Sequence, residues 1–131
     1  MSEVITDKLT GRATANDVTV TVGATATMPL HEGLAKVYFH ASATATIVDS
    51  QSFNISSGTD NGTGNWQYAI TNAMSSADYI GVATANSGGI RICSHYANNN
   101  TTSVFAILLG LGTDGSLNDQ PHNGVAHGDL A

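Results

Sequence analysis

Alternation of apolar and polar residues over short stretches limits this chain more than any other property of its sequence. The clearest case, Val18 to Val22, places valine at every second position, which is typical of a half-buried β-strand. Comparable segments recur at intervals of about 8 to 15 residues, separated by turn residues. The sequence carries no segment with helical periodicity. We therefore expect an all-β fold, an antiparallel β-sandwich or jelly-roll-like barrel of about eight short strands with extended N- and C-terminal arms.

The segment 34–40 is predicted to be a strand with two different faces. Val37 and Phe39 occupy alternate positions and indicate the face that is buried in the core. Lys36, Tyr38 and His40 occupy the positions between and beside them. We assign these three residues to a functional or interfacial face.

The sequence DNGTG at residues 60–64 is the strongest turn signal, since Asn and Gly tolerate the positive φ of tight hairpin turns. The strand that follows is predicted to place Trp66, Tyr68 and Ile70 on one face. A second hairpin is predicted from two strands joined by the SGG turn at residues 87–89. The further predicted strands are 44–48, 53–55, 79–85, 90–96 and 104–109.

A chain of 131 residues is expected to form one domain with a single hydrophobic core. We divide it into an N-terminal arm with an exchangeable strand at 1–27 and a β-sandwich domain at 28–111. The last segment, 112–131, is rich in Gly, Asp, Asn and His and shows no face to bury. It is predicted to be an extended tail that becomes ordered against a neighbouring molecule.

Charge excludes some classes of partner. The net charge is −6, and the four cationic residues are scattered along the chain at Lys8, Arg12, Lys36 and Arg91. Binding to nucleic acid or to an anionic membrane depends on clustered positive charge, so neither is expected. Charged residues make up only 11% of the sequence, which is consistent with a surface largely covered by copies of the chain or by neighbours.

The single cysteine, Cys93, lies in an apolar run, and we expect a buried thiol there. The first residues lack the cationic start and apolar stretch of a signal peptide, and no apolar run is long enough to span a membrane. Synthesis in a cytoplasm is therefore expected. No cofactor is indicated by any motif in the chain.

Metal binding and catalysis are the two kinds of chemistry that the residue types of the chain could support. His122 and His127, near Asp119 and Asp129, suggest a metal ion on a three-fold axis, although a solvated tail is the favoured interpretation. A catalytic site is not indicated, because nucleophile elbows, phosphate-binding glycine loops and HExxH runs are missing from the sequence. A polysaccharide hydrolase is the weakest option, since the aspartates fall mostly in turns.

Aromatic residues offer a further hypothesis, a platform for glycan binding. Trp66 and Tyr68 supply faces on which a sugar can stack, and Asp60 and Asn61 in the adjacent turn supply polar groups. The alternative is that the aromatic residues fill the core or a subunit interface. We favour that alternative for any one of them.

The stretch from Gly33 to Thr84 resembles a module of short virion proteins and tail-fibre ends of marine and freshwater bacteriophages, including cyanophages. The resemblance rests on the GLAK start, the DSQSFN segment, the DNGTG turn and the ADYIGVAT strand. The preceding LTGRATANDVTVT also looks like the leading segment of such proteins. It implies a component of a virus particle, commonly a homotrimer, on the outer surface of a head or a tail.

The chain is shorter than a typical receptor-binding fibre, which favours a capsid decoration or cement protein that contacts the major capsid protein. The alternative is a tail fibre or adsorption protein that binds host surface glycans. In the favoured reading, Val18, Val20 and Val22 form an assembly strand that pairs with a neighbouring sheet edge. The predicted interfacial face of Lys36, Tyr38 and His40 would assist.

Overall fold

The computed structural model describes residues 19–22, 26–30, 33–47 and 51–131. It divides into two compact units, Met1–Leu34 and Ala35–Ala131. The described residues contain no α-helix, and the second unit is a sandwich of two antiparallel sheets. Its strands are β3 (Val37–Ala41), β4 (Ile55–Asp60), β5 (Asn65–Ile70), β6 (Ile80–Ala85), β7 (Arg91–His95), β8 (Val104–Leu111) and β9 (His122–His127). The all-β sandwich prediction is confirmed.

The smaller sheet has three strands in the order β3-β9-β6, so the last strand of the chain lies in the middle. Tyr38 of β3 pairs with Val125 of β9, and Val125 pairs in turn with Val82 of β6. Phe53 forms an isolated bridge to Tyr38 on the other side of β3. This register aligns residues from four chain segments in one row across the sheet.

The larger sheet has four strands in the order β4-β5-β8-β7. The predicted hairpin at residues 60–64 is confirmed as the connection between β4 and β5. Gly62 and Gly64 have φ values of 114° and 66°, which residues with a side chain rarely adopt. Asp60 Oδ1 accepts a hydrogen bond from the Gly62 amide at 2.9 Å, and this contact holds the turn.

The path of the chain alternates between the sheets. One strand in the small sheet is followed by a hairpin in the large sheet, and this order occurs twice before β9 returns to the small sheet. The predicted hairpin between 79–85 and 90–96 is therefore wrong in its pairing: β6 bonds to β9, and β7 bonds to β8. Both segments are strands, as predicted.

Aromatic rings from both sheets fill the space between them. The Phe39 ring lies 4.2 Å from the Tyr68 ring and 5.7 Å from the Phe105 ring, measured between centroids. Gly124 of β9 lies beneath these rings, and a Cβ built on it would be 2.5 Å from the Phe39 ring. The absence of a side chain at this position lets two large rings meet the sheet.

The prediction of an extended tail at 112–131 is wrong for β9. Residues His122, Gly124 and Ala126 of this strand are buried, and both edges of β9 are hydrogen bonded. The strand was not recognised in the sequence because its inward positions carry two small residues and a histidine. A strand pattern is recognised by large apolar residues at alternate positions. The strand predicted at 44–48 is not found among its described residues, 44–47, which continue a turn and end in one isolated bridge between Ala41 and Ile47; Val48 lies outside the described residues.

The first unit contains an antiparallel pair, β1 (Thr19–Val22) and β2 (Ala26–Pro29). The predicted strand at the valine-rich segment is thus confirmed for Thr19–Val22, while Val18 lies outside the described residues. The boundary predicted after Thr27 differs from the division found after Leu34, because Met28 and Pro29 belong to β2 and pair with β1.

Replacing Gly124 with Ala is expected to lower the free energy of unfolding by about 1–3 kcal/mol, since the new methyl group collides with the Phe39 ring. Urea denaturation measures this change. Gly88→Ala is the matched control, because a Cβ there meets no atom within 4 Å, and its effect should stay within about 0.5 kcal/mol. Equal stability of the two variants would contradict the packing described for β9.

Candidate interaction surface

The outward face of the three-stranded sheet carries a continuous apolar row. Phe53, Tyr38, Val125 and Val82 follow one another in register across the sheet. Tyr38, Phe53 and Val82 are 47%, 48% and 54% exposed, and the Tyr38 and Phe53 rings stack with centroids 5.7 Å apart. Ile80, two positions before Val82 on β6, is 72% exposed. These five residues are called the apolar row below.

A polar row runs beside the apolar row, two residues away along each of the three strands. His40 Nδ1 lies 2.8 Å from Asn123 Oδ1, and Asn123 Nδ2 donates to Thr84 Oγ1 at 3.2 Å. The three residues are register partners on β3, β9 and β6. Their mutual hydrogen bonds fix the side chains that border the apolar row.

The outward positions of these three strands carry Tyr, His, Ile, Val, Thr and Asn. In the described part of the second unit the carboxylates lie elsewhere, in loops or at a strand end, at Asp60, Asp78, Asp114, Asp119 and Asp129. A chain of net charge −6 therefore presents one sheet face without negative charge. An exposed apolar patch bordered by polar groups is typical of a protein interaction site.

The predicted interfacial residues are separated by the structure. Tyr38 lies in the apolar row and His40 in the polar row, so both occupy the outward face. Lys36 was assigned to the same face, but it precedes β3 and is only 8% exposed, and its backbone N–H donates to the Ala126 carbonyl at 2.8 Å. That assignment of Lys36 is wrong, because a buried side chain offers a partner little surface.

Sequence reasoning missed Phe53, Ile80, Val82 and Val125 as members of this surface. Each lies in a segment that reads as a strand or a tail, and none stands out by residue type. Their alignment depends on β9 lying between β3 and β6, which places Val125 between Tyr38 and Val82. The strand order was the missing information.

The proposed glycan platform is not supported by the positions of its aromatic residues. Trp66 and Tyr68 have no exposed area, since both point from β5 into the space between the sheets. Asp60, the last residue of β4, and Asn61, in the turn that follows, are both exposed. Stacking a sugar on Trp66 or Tyr68 would require the two sheets to separate, so that prediction is wrong for these two residues.

His122 forms a buried polar contact with Tyr68 at the centre of the sandwich. The His122 Nδ1–H donates to the Gln120 carbonyl at 2.8 Å, so Nε2 accepts the hydrogen bond from the Tyr68 hydroxyl at 2.5 Å. The Trp66 ring lies against the imidazole with centroids 4.2 Å apart. This arrangement satisfies a neutral imidazole. Burial lowers the pKa of His122, the hydrogen bond to Gln120 opposes this shift in part, and the nearby His40 adds to it.

The proposed metal site is not formed by these residues. Both ring nitrogens of His122 are engaged, and the side chain is fully buried, so it is not available to an ion on a symmetry axis. His127 lies on the outward side of β9 and pairs with Ile80. Among the described residues, no group of three or more His, Cys, Asp or Glu side chains is placed to hold a metal ion.

Cys93 lies on β7 with its side chain partly buried against the core. Burial raises the pKa of the Cys93 thiol to about 11, so it stays protonated at neutral pH. The expectation of a buried thiol is met in part, because Cys93 has intermediate exposure and packs against the core. In the part of the chain that the structure covers, no helix has the length and apolar character needed to cross a membrane.

Comparison of the chain with known protein families, with curated proteins and with solved structures found no match.

The stability of the fold should depend on pH through His122. Burial lowers the pKa of His122 below its ordinary value of 6.5, so on acidification the unfolded chain takes up this proton before the folded chain does. The free energy of unfolding is therefore expected to fall as the pH drops below about 6.5, by at most about 1.4 kcal/mol per pH unit for this one group. Urea denaturation between about pH 8 and pH 5 measures the slope.

His122→Gln is the comparison for this measurement. It removes the titrating group, so its stability should change less with pH than that of the unmodified protein. If the two proteins show the same slope, His122 is not the buried neutral group described here.

Proposed function

We propose that the chain is a structural protein of a bacteriophage particle, a capsid decoration or cement protein that binds its neighbours through the outward face of the three-stranded sheet. The apolar row carries this proposal. It brings Phe53, Tyr38, Val125 and Val82 into one line on a surface that is free of carboxylates in the described strands. In this role the protein binds and does not catalyse.

Physical properties of the row support binding to another protein. Two stacked aromatic rings are of the type that contributes most to interface energy, and β-branched residues extend the surface across the sheet. Burial of apolar area contributes roughly 25 cal/mol per Å² before the costs of association. A contact made by the few side chains of the apolar row is weak alone. Repetition of the contact over a particle lattice makes the binding effective.

The assignment to a phage particle is supported by the resemblance of residues 33–84 to short virion proteins. The outward surface of the head is the proposed location, with the tail as the alternative, and the major capsid protein is the proposed partner of the assembled copies. A homotrimer is the proposed assembly state. A tail adsorption role through Trp66 and Tyr68 loses its support, because both side chains are buried.

Replacing Val20 with Asp is expected to abolish incorporation into particles. Val20 lies in β1 opposite Met28, and a carboxylate at this apolar register position would have to be desolvated in any contact that covers it. Purified particles assembled with the variant are assayed for the protein by mass spectrometry or blotting. Asn99→Asp, in the 3-10 turn Ala97–Asn99, is the control and should be incorporated normally. Equal incorporation of both variants would remove β1 from the assembly surface.

A further inference from the structure

The hairpin of β1 and β2 has two chemically different sets of register positions. Val20 lies opposite Met28, and Val22 lies opposite Ala26. The alternate positions pair Thr21 with Thr27. Since successive positions of a strand belong to opposite faces, one face of the hairpin is apolar in sequence and the other is rich in threonine.

A two-stranded hairpin is marginally stable in water and gains stability by packing on a further apolar surface. This hairpin belongs to a compact unit separate from the sandwich. The sequence from Val18 to Leu30 contains no charged residue. The hairpin is therefore suited to a surface that is apolar and without charge.

The apolar row of the sandwich has that chemistry. Its in-register part crosses four chain segments, from Phe53 to Val82, and at about 4.8 Å between strands it extends over roughly 14 Å. Each strand of the hairpin has four residues and extends over a similar length, about 13 Å. A hairpin laid along the row crosses the strands of the sheet, which is the orthogonal mode of sheet packing.

We infer that the hairpin of β1 and β2 of one copy covers the apolar row of a second copy, so that each copy donates one hairpin and receives one. The inference rests on the proposed function, because it names the partner of the same surface. The contact is heterologous, with different patches on the two copies, and repetition of such a contact closes into a ring when the rotation permits. Neutral contact surfaces let copies of net charge −6 associate with little like-charge repulsion at the contact.

Two single substitutions test the two halves of this contact. Val20→Asp is expected to disable the hairpin as a donor, and Val82→Asp is expected to disable the row as an acceptor. Light scattering after size-exclusion chromatography should show the unmodified protein as an oligomer and each variant as a monomer of 13.4 kDa. Circular dichroism and urea denaturation establish that each variant is folded.

Matched controls place the same charge outside the contact. Thr21→Asp changes the other set of register positions in β1, and Thr59→Asp changes an exposed position of β4 in the large sheet. Both variants should keep the oligomer mass of the unmodified protein. If Thr21→Asp dissociates the protein as fully as Val20→Asp, the apolar face of the hairpin is not the contact and the inference fails.

Mixing the two monomeric variants is the decisive step. The Val82→Asp chain retains an intact hairpin, and the Val20→Asp chain retains an intact row, so an equal mixture should form a heterodimer of twice the subunit mass. A mixture that stays monomeric overturns the inference, as does an unmodified protein that is itself monomeric. An oligomer that exchanges hairpins in this way but is not incorporated into particles would remove the proposed function and leave the exchange standing.

Discussion

The insertion of β9 between β3 and β6 is the interaction on which the rest of the sandwich depends. Both edges of β9 are hydrogen bonded, one to β3 and the other to β6. The strand therefore joins two segments that are far apart in the sequence. Its inward side supplies Gly124, which makes room for the Phe39 and Phe105 rings. Its outward side supplies Val125, the central member of the apolar row. One strand thus determines both the packing of the core and the continuity of the surface.

The sequence predicted the parts of the fold that are encoded locally. The hairpin between β4 and β5 follows from its Asn-Gly turn, and the alternation of Trp66, Tyr68 and Ile70 correctly placed them on one face. Whether that face is buried or exposed depends on where the second sheet packs, which the local pattern does not indicate. The glycan platform was wrong because the second sheet covers the face that carries Trp66 and Tyr68. The pairing of β6 with β9 was equally hidden, because it joins residues distant in sequence.

The candidate surface was predicted in part for the same reason. Tyr38 and His40 were predicted to share the outward face because they alternate with Val37 and Phe39 within one strand. Val125 was missed because its strand presents His122 and glycine to the core, which does not look like an apolar face. The hydrogen bond between His122 and Tyr68 allows a polar residue to lie in the core. A pattern of residue types does not indicate such a buried polar position, so the segment looked like a tail.

We propose that another protein covers the apolar row when the chain is assembled, and the labelling rate of a thiol placed in the row tests this most directly. Val82→Cys puts that thiol at the β6 end of the exposed apolar row, and the native Cys93 adds little background because its thiol pKa is raised to about 11. We expect the Val82→Cys thiol to react at least about tenfold more slowly in the assembled protein than in subunits dispersed by Val20→Asp, which would correspond to about 1.4 kcal/mol of protection. Equal rates in the assembled and dispersed states would contradict the account.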